Sequence, residues 1–190
     1  MLDNISQENI KADKVVGRDD NSTTVIQIIK NAIRQPLKKL INKLRKEMEN
    51  ENKITNTEEH PVLNFYQADI DTIGLEGKMQ KAKKEDKLKR AMAYKEFFAK
   101  ELTKKKFYRA GQELYAILLG KVYSGFNQQI KPLIEKNELT ATIDAAEASL
   151  ITQLTTELGD NADIISFNEI EGMLYYLTGK CHIKWHKEQR

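Results

Sequence analysis

The chain contains little cysteine, proline or glycine, and no long hydrophobic run. Its 190 residues include one cysteine, three prolines and nine glycines. A single cysteine excludes an internal disulfide, which suits a reducing compartment, and we expect a cytoplasmic protein. Because no run of about eighteen apolar residues occurs, no membrane-spanning helix is expected. The N-terminus also lacks the basic flank and apolar stretch of a secretion signal.

With few residues that break helices, long helices should dominate the fold. Apolar residues recur at helical spacing from Leu37 to Met48, which predicts one amphipathic helix after Pro36. The same spacing predicts long helices over residues 79–105, 107–135 and 137–158, the last with Gly159 as its C-terminal cap, and a shorter helix capped by Gly179. The predicted fold is therefore mainly α, a bundle of long amphipathic helices.

The first 29 residues differ from the rest of the chain. They place β-forming residues on either side of a turn-like stretch that begins at Gly17. We predict a small N-terminal β-hairpin or strand pair, in which Ile10, Val15, Val16 and Gly17 would form an oligomerisation strand. Two strands alone are marginally stable, so they should pack on the helical body, pair with a second copy of the chain, or extend a partner's sheet.

Three regions follow from these patterns. Residues 1–29 are predicted to form a β-strand assembly motif, residues 30–59 a helix and polar linker, and residues 60–190 a helical domain. Deletion of residues 1–29 should leave the helical body folded and change the oligomeric state.

The net charge of +3 conceals a strong segregation of charge. Residues 78–106 carry eleven lysines and one arginine against four acidic residues, a net charge of +8. Residues 135–172 carry nine acidic residues against one lysine, a net charge of −8. Two interpretations are open: the two regions neutralise each other in the fold, or the basic helix meets an acidic partner or nucleic acid. The candidate basic surface comprises Lys83, Lys84, Lys87, Arg90, Lys104, Lys105 and Lys106.

The strongest candidate for chemistry is the cluster of Cys181, His182 and His186 near the C-terminus. Cys181 and His182 are adjacent, so their side chains diverge and do not form a catalytic dyad. The three residues are one ligand short of a closed structural zinc site. A metal-dependent or thiol enzyme is one interpretation; the other is that Cys181 and Trp185 are buried and His182 bonds a backbone carbonyl.

No nucleotide-binding, nucleophile-elbow or zinc-protease motif occurs in the chain. Gly74 and Gly77 precede a lysine, but their spacing is not that of a phosphate-binding loop. They are more consistent with a turn that enters the basic helix. We therefore expect no enzyme activity, no catalytic residue, no metal site and no cofactor.

The order of short motifs from His60 onward resembles a known family. The motifs include Ile73–Met79, Ala91–Phe98, Tyr108–Glu113, Phe126–Ile134 and Met173–Trp185. This series is similar to the C-terminal domain of bacterial ABC-three component systems, anti-phage loci that include the Lamassu type. Residues 10–19 are similar to the short strand motif that often precedes that domain.

The resemblance implies a docking role for residues 60–190. Such systems combine an ABC ATPase of the SMC/Rad50-like kind, a small middle component and an effector, and this domain is thought to attach the effector to the ATPase. If Met1 is the natural start, the chain has no room for a nuclease and would be a non-catalytic accessory subunit. The candidate docking or structural motif comprises Gly74, Leu75, Lys78, Gln112, Tyr175, Tyr176, Cys181, His182 and Trp185.

The expected partners are therefore the SMC/Rad50-like ABC ATPase and an effector subunit. Contact with DNA inside the complex, and a homo-oligomer formed through the N-terminal strands, are two further alternatives. The alternative function is a nucleic-acid-binding regulator or sensor that uses the basic helix over residues 78–106. A salt-dependent shift with duplex DNA would favour this alternative.

Overall fold

The computed structural model describes residues 37–54, 60–68 and 73–187, and this part of the chain is mainly helical. The predicted N-terminal strand motif, with Ile10, Val15, Val16 and Gly17, lies outside the described residues. No described helix is long and apolar enough to cross a bilayer. The helices are α1 (Leu37–Glu49), α2 (Pro61–Gln67), α3 (Gly74–Lys81), α4 (Leu88–Lys105), α5 (Arg109–Gly125), α6 (Lys131–Glu135), α7 (Thr140–Leu158) and α8 (Phe167–Gly179).

Helix α1 confirms the predicted amphipathic helix after Pro36. Its apolar residues follow a spacing of three and four, so Leu37, Leu40, Ile41 and Leu44 share one buried face. This face packs mainly against α5. Met48, at the end of the same stripe, is more than one-third exposed.

The single helix predicted over residues 79–105 is wrong, because the chain turns between α3 and α4. Lys83 has a φ of 55°. The N–H of Lys83 donates to the carbonyl of Gln80, and the N–H of Lys84 donates to that of Met79. These bonds form a Schellman motif that ends α3. A 3₁₀ turn over Glu85–Lys87 then leads into α4.

Helices α4 and α8 form the most extensive helix–helix contact among the described residues. They run antiparallel, since Lys105 at the end of α4 contacts Glu169 in the first turn of α8, whereas Ala91 near the start of α4 packs with Tyr175. Gly172 lies at the crossing, where a Cβ atom would approach the carbonyl oxygen of Tyr94 to 2.5 Å. The absence of a side chain at residue 172 therefore lets the two backbones approach closely.

The long helix predicted over residues 107–135 is interrupted near its end. After α5 the chain forms a π-helical turn, Phe126–Ile130, and then continues into the short α6. Pro132 lies in the first turn of α6 and has no N–H with which to continue the α-helical pattern. The π-helical turn carries Phe126 and Ile130 into the core.

The two C-terminal helices end and begin at distinct capping motifs. Gly159 follows α7 with a φ of 59°, which confirms the predicted glycine at its end. Ser166 and Glu169 form a reciprocal capping box at the start of α8. Gly179 is the last residue of α8 and does not itself cap it, a correction to the prediction. Residues 180–187, the C-terminal segment, form turns and bends that pack on the helices.

Candidate docking site

The predicted docking motif is largely a buried structural unit rather than an exposed surface. Lys78 is 1% exposed, and its Nζ atom donates to the carbonyl oxygen of Thr178 at 2.6 Å and to that of Ile183 at 3.4 Å. It therefore joins α3 to the end of α8 and to the C-terminal segment. Leu75 and Tyr175 pack beside it in a small apolar cluster with Met79 and Ala91.

Trp185 anchors the C-terminal segment. It is 4% exposed, and its Nε1–H donates to Thr178 Oγ1 at 2.9 Å. Its ring meets that of Phe126 edge to face, with centroids 5.0 Å apart. The Nζ atom of Lys84 lies 4.3 Å from the Trp185 ring centroid, a cation–π contact. Trp185 is therefore buried, as predicted, and its contacts fix the segment against α8 and the π-helical turn.

A buried polar network continues from Lys84 into α7. Lys84 donates to Asp144 Oδ1 at 2.6 Å and to Glu147 Oε2 at 3.2 Å. The hydroxyl of Tyr175 donates to the other oxygen of Glu147 at 2.9 Å. Burial and the Glu147 carboxylate together raise the pKa of Tyr175, so the phenol stays protonated as the donor.

Cys181 occupies the position after α8 where glycine is most common. Its φ is 70°, its N–H donates to the carbonyl of Thr178, and the N–H of His182 donates to that of Leu177. This arrangement is a Schellman motif in which Cys181 adopts the left-handed conformation. Cys181 is buried, as predicted for a structural role, and its Sγ lies 3.8 Å from the carbonyl oxygen of Gly179.

His182 lies between α2 and the C-terminal segment. Its ring centroid is 5.0 Å from that of Phe65 and 5.2 Å from that of Tyr66. Burial lowers the pKa of His182 to about 4, although hydrogen bonds with the backbone of Tyr66 and Ala68 act in the opposite direction. The predicted bond to the backbone is thus present. Across the described ranges, no group of three histidine, cysteine, aspartate or glutamate residues is arranged to hold a metal ion.

Gln112 and Tyr176 contact different parts of the structure from the other motif residues. Gln112 accepts from the N–H of His60 at 2.8 Å and donates to the carbonyl oxygen of Lys106 at 2.8 Å, which fixes the start of α2. Tyr176 packs edge to face on Phe98 in the main core. Gly74 begins α3 with a φ of 65°, consistent with a turn residue. Gly77, in contrast, lies within α3, a correction to its prediction as part of the turn.

The candidate basic surface is only partly exposed. Lys84 and Lys105 are buried, which contradicts their prediction as exposed residues. Arg90 pairs through two parallel bonds with Glu171, both 2.9 Å, and Lys87 lies 2.7 Å from Asp144. Four cations of the basic region therefore pair with carboxylates of the acidic region, in line with the first interpretation of the charge pattern. Lys83, Arg90 and Lys104 are exposed, and Lys87 and Lys106 are half-buried.

The structure also contains an open groove that the sequence did not predict. It lies between the C-terminal segment on one side and the end of α5, the π-helical turn and α6 on the other, with a volume of about 1130 Å³. We call it the C-terminal groove. Its lining residues are Tyr123, Phe126, Asn127, Lys131, Ile134, Glu135, His182, Lys184, His186 and Lys187. Lys131, Glu135, Lys184 and Lys187 are exposed, so their charges are accessible at this site.

Comparison with known protein families gives a match. Residues 74–185, more than half of the chain, match the family model CTD9, described as C-terminal domain 9 of the ABC-three component (ABC-3C) systems. This region begins at α3 and ends at Trp185. It contains the buried network, the α4–α8 pair and most of the lining of the C-terminal groove, whereas His186 and Lys187 lie beyond it. Searches among curated proteins and solved structures give no match.

Proposed function

Because this chain belongs to the family of C-terminal domain 9 of the ABC-three component systems, we propose that it is a non-catalytic docking subunit of such an anti-phage complex. In this proposal it holds an effector on an SMC/Rad50-like ABC ATPase. The match to the family over residues 74–185 is the observation that carries the proposal.

The arrangement of the matched region supports a docking role. The candidate motif residues in α3 and α8 are used to fix the C-terminal segment in place rather than to present reactive groups. Lys78 donates to the carbonyl oxygen of Ile183 and Trp185 donates to Thr178, so the segment is tied to α3 and to α8. A surface that is ordered before binding loses less conformational entropy when a partner docks.

The alternative of a nucleic-acid-binding regulator is less well supported by the charges of the basic helix. Duplex binding depends on lysines and arginines that can neutralise several phosphates. Lys84, Lys105 and Arg90 instead pair with carboxylates of α7 and α8. Those three cations are partly or wholly neutralised within the fold, whereas Lys81, Lys83, Lys89, Lys100 and Lys104 of the same stretch stay exposed.

Co-purification tests the docking function. The tagged chain is expressed with the ATPase and the effector that are encoded beside it. We expect all three proteins to co-elute, and the effector to be lost from the ATPase when this chain is omitted. Failure of the chain to retain the ATPase would contradict the proposal.

The non-catalytic part of the proposal has its own test. Cys181→Ser and His186→Ala change the two residues most suited to chemistry in the C-terminal segment. Because His186 lines the C-terminal groove, partner assembly is measured as well, and we expect unchanged phage protection in cells where either variant is present and assembles at wild-type levels. Loss of protection without loss of protein or of complex assembly would indicate a catalytic or metal-binding role.

A further inference from the structure

We propose that the C-terminal groove is the surface that binds a protein partner, and that its occupant is an acidic segment of that partner. The inference rests on the docking function proposed above and adds the site and the chemistry of the contact. Four features of the groove support the inference: its positive charge, the wall that is fixed by buried contacts, the apolar part of the other wall, and the burial of its aromatic rings.

The charge of the groove is positive and accessible. Lys131, Lys184 and Lys187 line it, and Glu135 is the only carboxylate among the described lining residues. All three lysines are exposed. The described residues provide no ion pair for Lys131 or Lys187, in contrast with Lys84 and Lys105 on the basic helix. A segment with negative side chains would therefore find complementary charge here.

One wall of the groove is fixed by contacts beneath the surface. Lys78 holds the carbonyl oxygen of Ile183, and Trp185 packs against Phe126 while it bonds to Thr178. These contacts hold the backbone on either side of Lys184 against α3, α8 and the π-helical turn. The lysines on the two walls are thus arranged before a partner arrives.

The other wall is an irregular helical turn with an apolar component. The π-helical turn, Phe126–Ile130, places Asn127 on the groove, and Ile134 of α6 adds an apolar side chain. π-Helical turns occur frequently at functional sites because they reorient side chains that a regular helix would direct elsewhere. Apolar and cationic residues together suit a peptide that contains both hydrophobic and acidic side chains.

The aromatic residues of the groove favour a peptide over a nucleic acid. Single-stranded nucleic acids bind largely by stacking bases on open aromatic faces. Phe126 is 1% exposed and its ring meets Trp185, while Tyr123 packs against Tyr66 with ring centroids 6.1 Å apart. Duplex DNA is convex and requires several phosphate contacts on a broad surface, which a concave groove with three lysines does not offer.

Charge reversal in the reconstituted complex tests the inference. Lys131→Glu/Lys187→Glu reverses one lysine on each wall, and the control Lys38→Glu/Lys39→Glu reverses two exposed lysines of α1 outside the groove. Glu135→Lys adds positive charge to the groove. We expect the groove variant to weaken binding to the ATPase or to the effector by about tenfold or more, the control to change it less than about twofold, and Glu135→Lys to tighten it. Matching circular dichroism spectra would exclude misfolding.

The outcomes separate the two proposals. If wild-type chain binds neither the ATPase nor the effector, the docking function fails and the groove proposal fails with it. If the wild-type complex forms and the groove variant assembles as well as the control, the docking function stands and the groove proposal is wrong. Equal losses of partner binding in the groove variant and in the control would also overturn the groove proposal. The same holds if the groove variant loses DNA binding while the complex still assembles.

Cross-linking identifies the occupant. A photoreactive phenylalanine analogue at Asn127 would be activated in the assembled complex, and the attached partner peptide would be sequenced by mass spectrometry. We expect one dominant peptide with several acidic residues. A neutral or basic peptide, or no peptide from either partner, would overturn the proposal.

Discussion

The Nζ atom of Lys105 lies 3.0 Å from each carboxylate oxygen of Glu169, and both side chains are more than nine-tenths buried. Lys105 also donates to the carbonyl oxygen of Ile164 at 2.6 Å, and Tyr115 donates its hydroxyl to Glu169 at 2.6 Å. The ion pair is therefore supported by hydrogen bonds on both partners. It joins the basic helix directly to the acidic C-terminal third of the chain.

Removal of one partner of this pair should be strongly destabilising. Lys105→Met leaves the Glu169 carboxylate buried without its cation, and we expect the free energy of unfolding to fall by about 3–5 kcal/mol. Lys104 is the matched control, since its side chain is 68% exposed and pairs only with Glu101. Lys104→Met should change stability by less than about 0.5 kcal/mol. Urea denaturation of both variants measures the difference, and similar losses would contradict a buried pair.

The double variant Lys105→Met/Glu169→Met provides a second check. Since it removes both charges together, it should lose less stability than the sum of the two single variants, although Glu169→Met also removes the acceptor of Tyr115 and the capping-box partner of Ser166. A loss equal to the sum of the two single losses would show that the residues do not interact.

The same lysines show how far the sequence predicts this fold. Lys104, Lys105 and Lys106 are adjacent, and composition alone assigns all three to the surface. Lys105, however, follows Phe98 by seven residues and Leu102 by three, the spacing of the buried face of α4. The helical pattern thus contained the signal that one lysine of the run is buried. Its carboxylate partner, 64 residues away, could not be inferred from local spacing.

The helices themselves were easier to predict than the breaks between them and the groove. Strong apolar periodicity predicted α1 and α7 well. The end of α3, in contrast, depends on Lys83 in the left-handed conformation, and the glycine that usually signals this position in a sequence is not present there. The groove brings Tyr123 near Lys187. This proximity depends on how the C-terminal segment packs on α5, which local sequence does not determine.

Two glycine-to-alanine substitutions should differ in cost, one at the crossing of α4 and α8 and one at the end of α5. At Gly172, an added Cβ would lie 2.5 Å from the backbone oxygen of Tyr94, so the helices must separate, and Gly172→Ala should cost about 1–3 kcal/mol. At Gly125, the nearest atom is the tip of the Leu150 side chain, which can rotate. The gain in helix propensity, about 1 kcal/mol, should make Gly125→Ala nearly neutral. Equal melting temperatures for the two variants would contradict the close crossing.

The left-handed conformation of Cys181 reverses the usual order of alanine and glycine. Both Cys181→Ala and Cys181→Gly remove the buried sulfur, but only glycine adopts a φ of 70° without steric cost. We expect Cys181→Gly to be more stable than Cys181→Ala by about 1 kcal/mol in chemical denaturation. A more stable alanine variant would show that the Schellman motif at the end of α8 is not formed as described.

Burial of His182 predicts a loss of stability in mild acid. Its pKa in the folded protein is lowered to about 4, with burial as the main cause and the positive charge of Lys78 acting in the same direction. The unfolded chain therefore binds a proton at higher pH than the folded chain does, and this contribution to stability falls as the pH drops from about 6.5 to about 4. Below that range it stays constant. The difference in unfolding free energy between wild type and His182→Gln should change over this range, and a constant difference would contradict a neutral, buried imidazole.

Trp185 should control both the stability of the C-terminal segment and the shape of the groove. Trp185→Ala removes a large buried ring from its contact with Phe126, and we expect a loss of about 3–5 kcal/mol. Trp185→Phe keeps an aromatic ring but removes the donor to Thr178 Oγ1, so it should cost about 1–2 kcal/mol. Lys187→Ala, on the exposed end of the same segment, serves as the control and should leave stability unchanged.

Amide hydrogen exchange shows whether Trp185 stabilises the C-terminal segment alone or the whole helical core. If Trp185 anchors the segment, exchange in Trp185→Phe should increase first at residues 181–187, and a uniform increase over α4 and α8 would instead assign Trp185 to the general core.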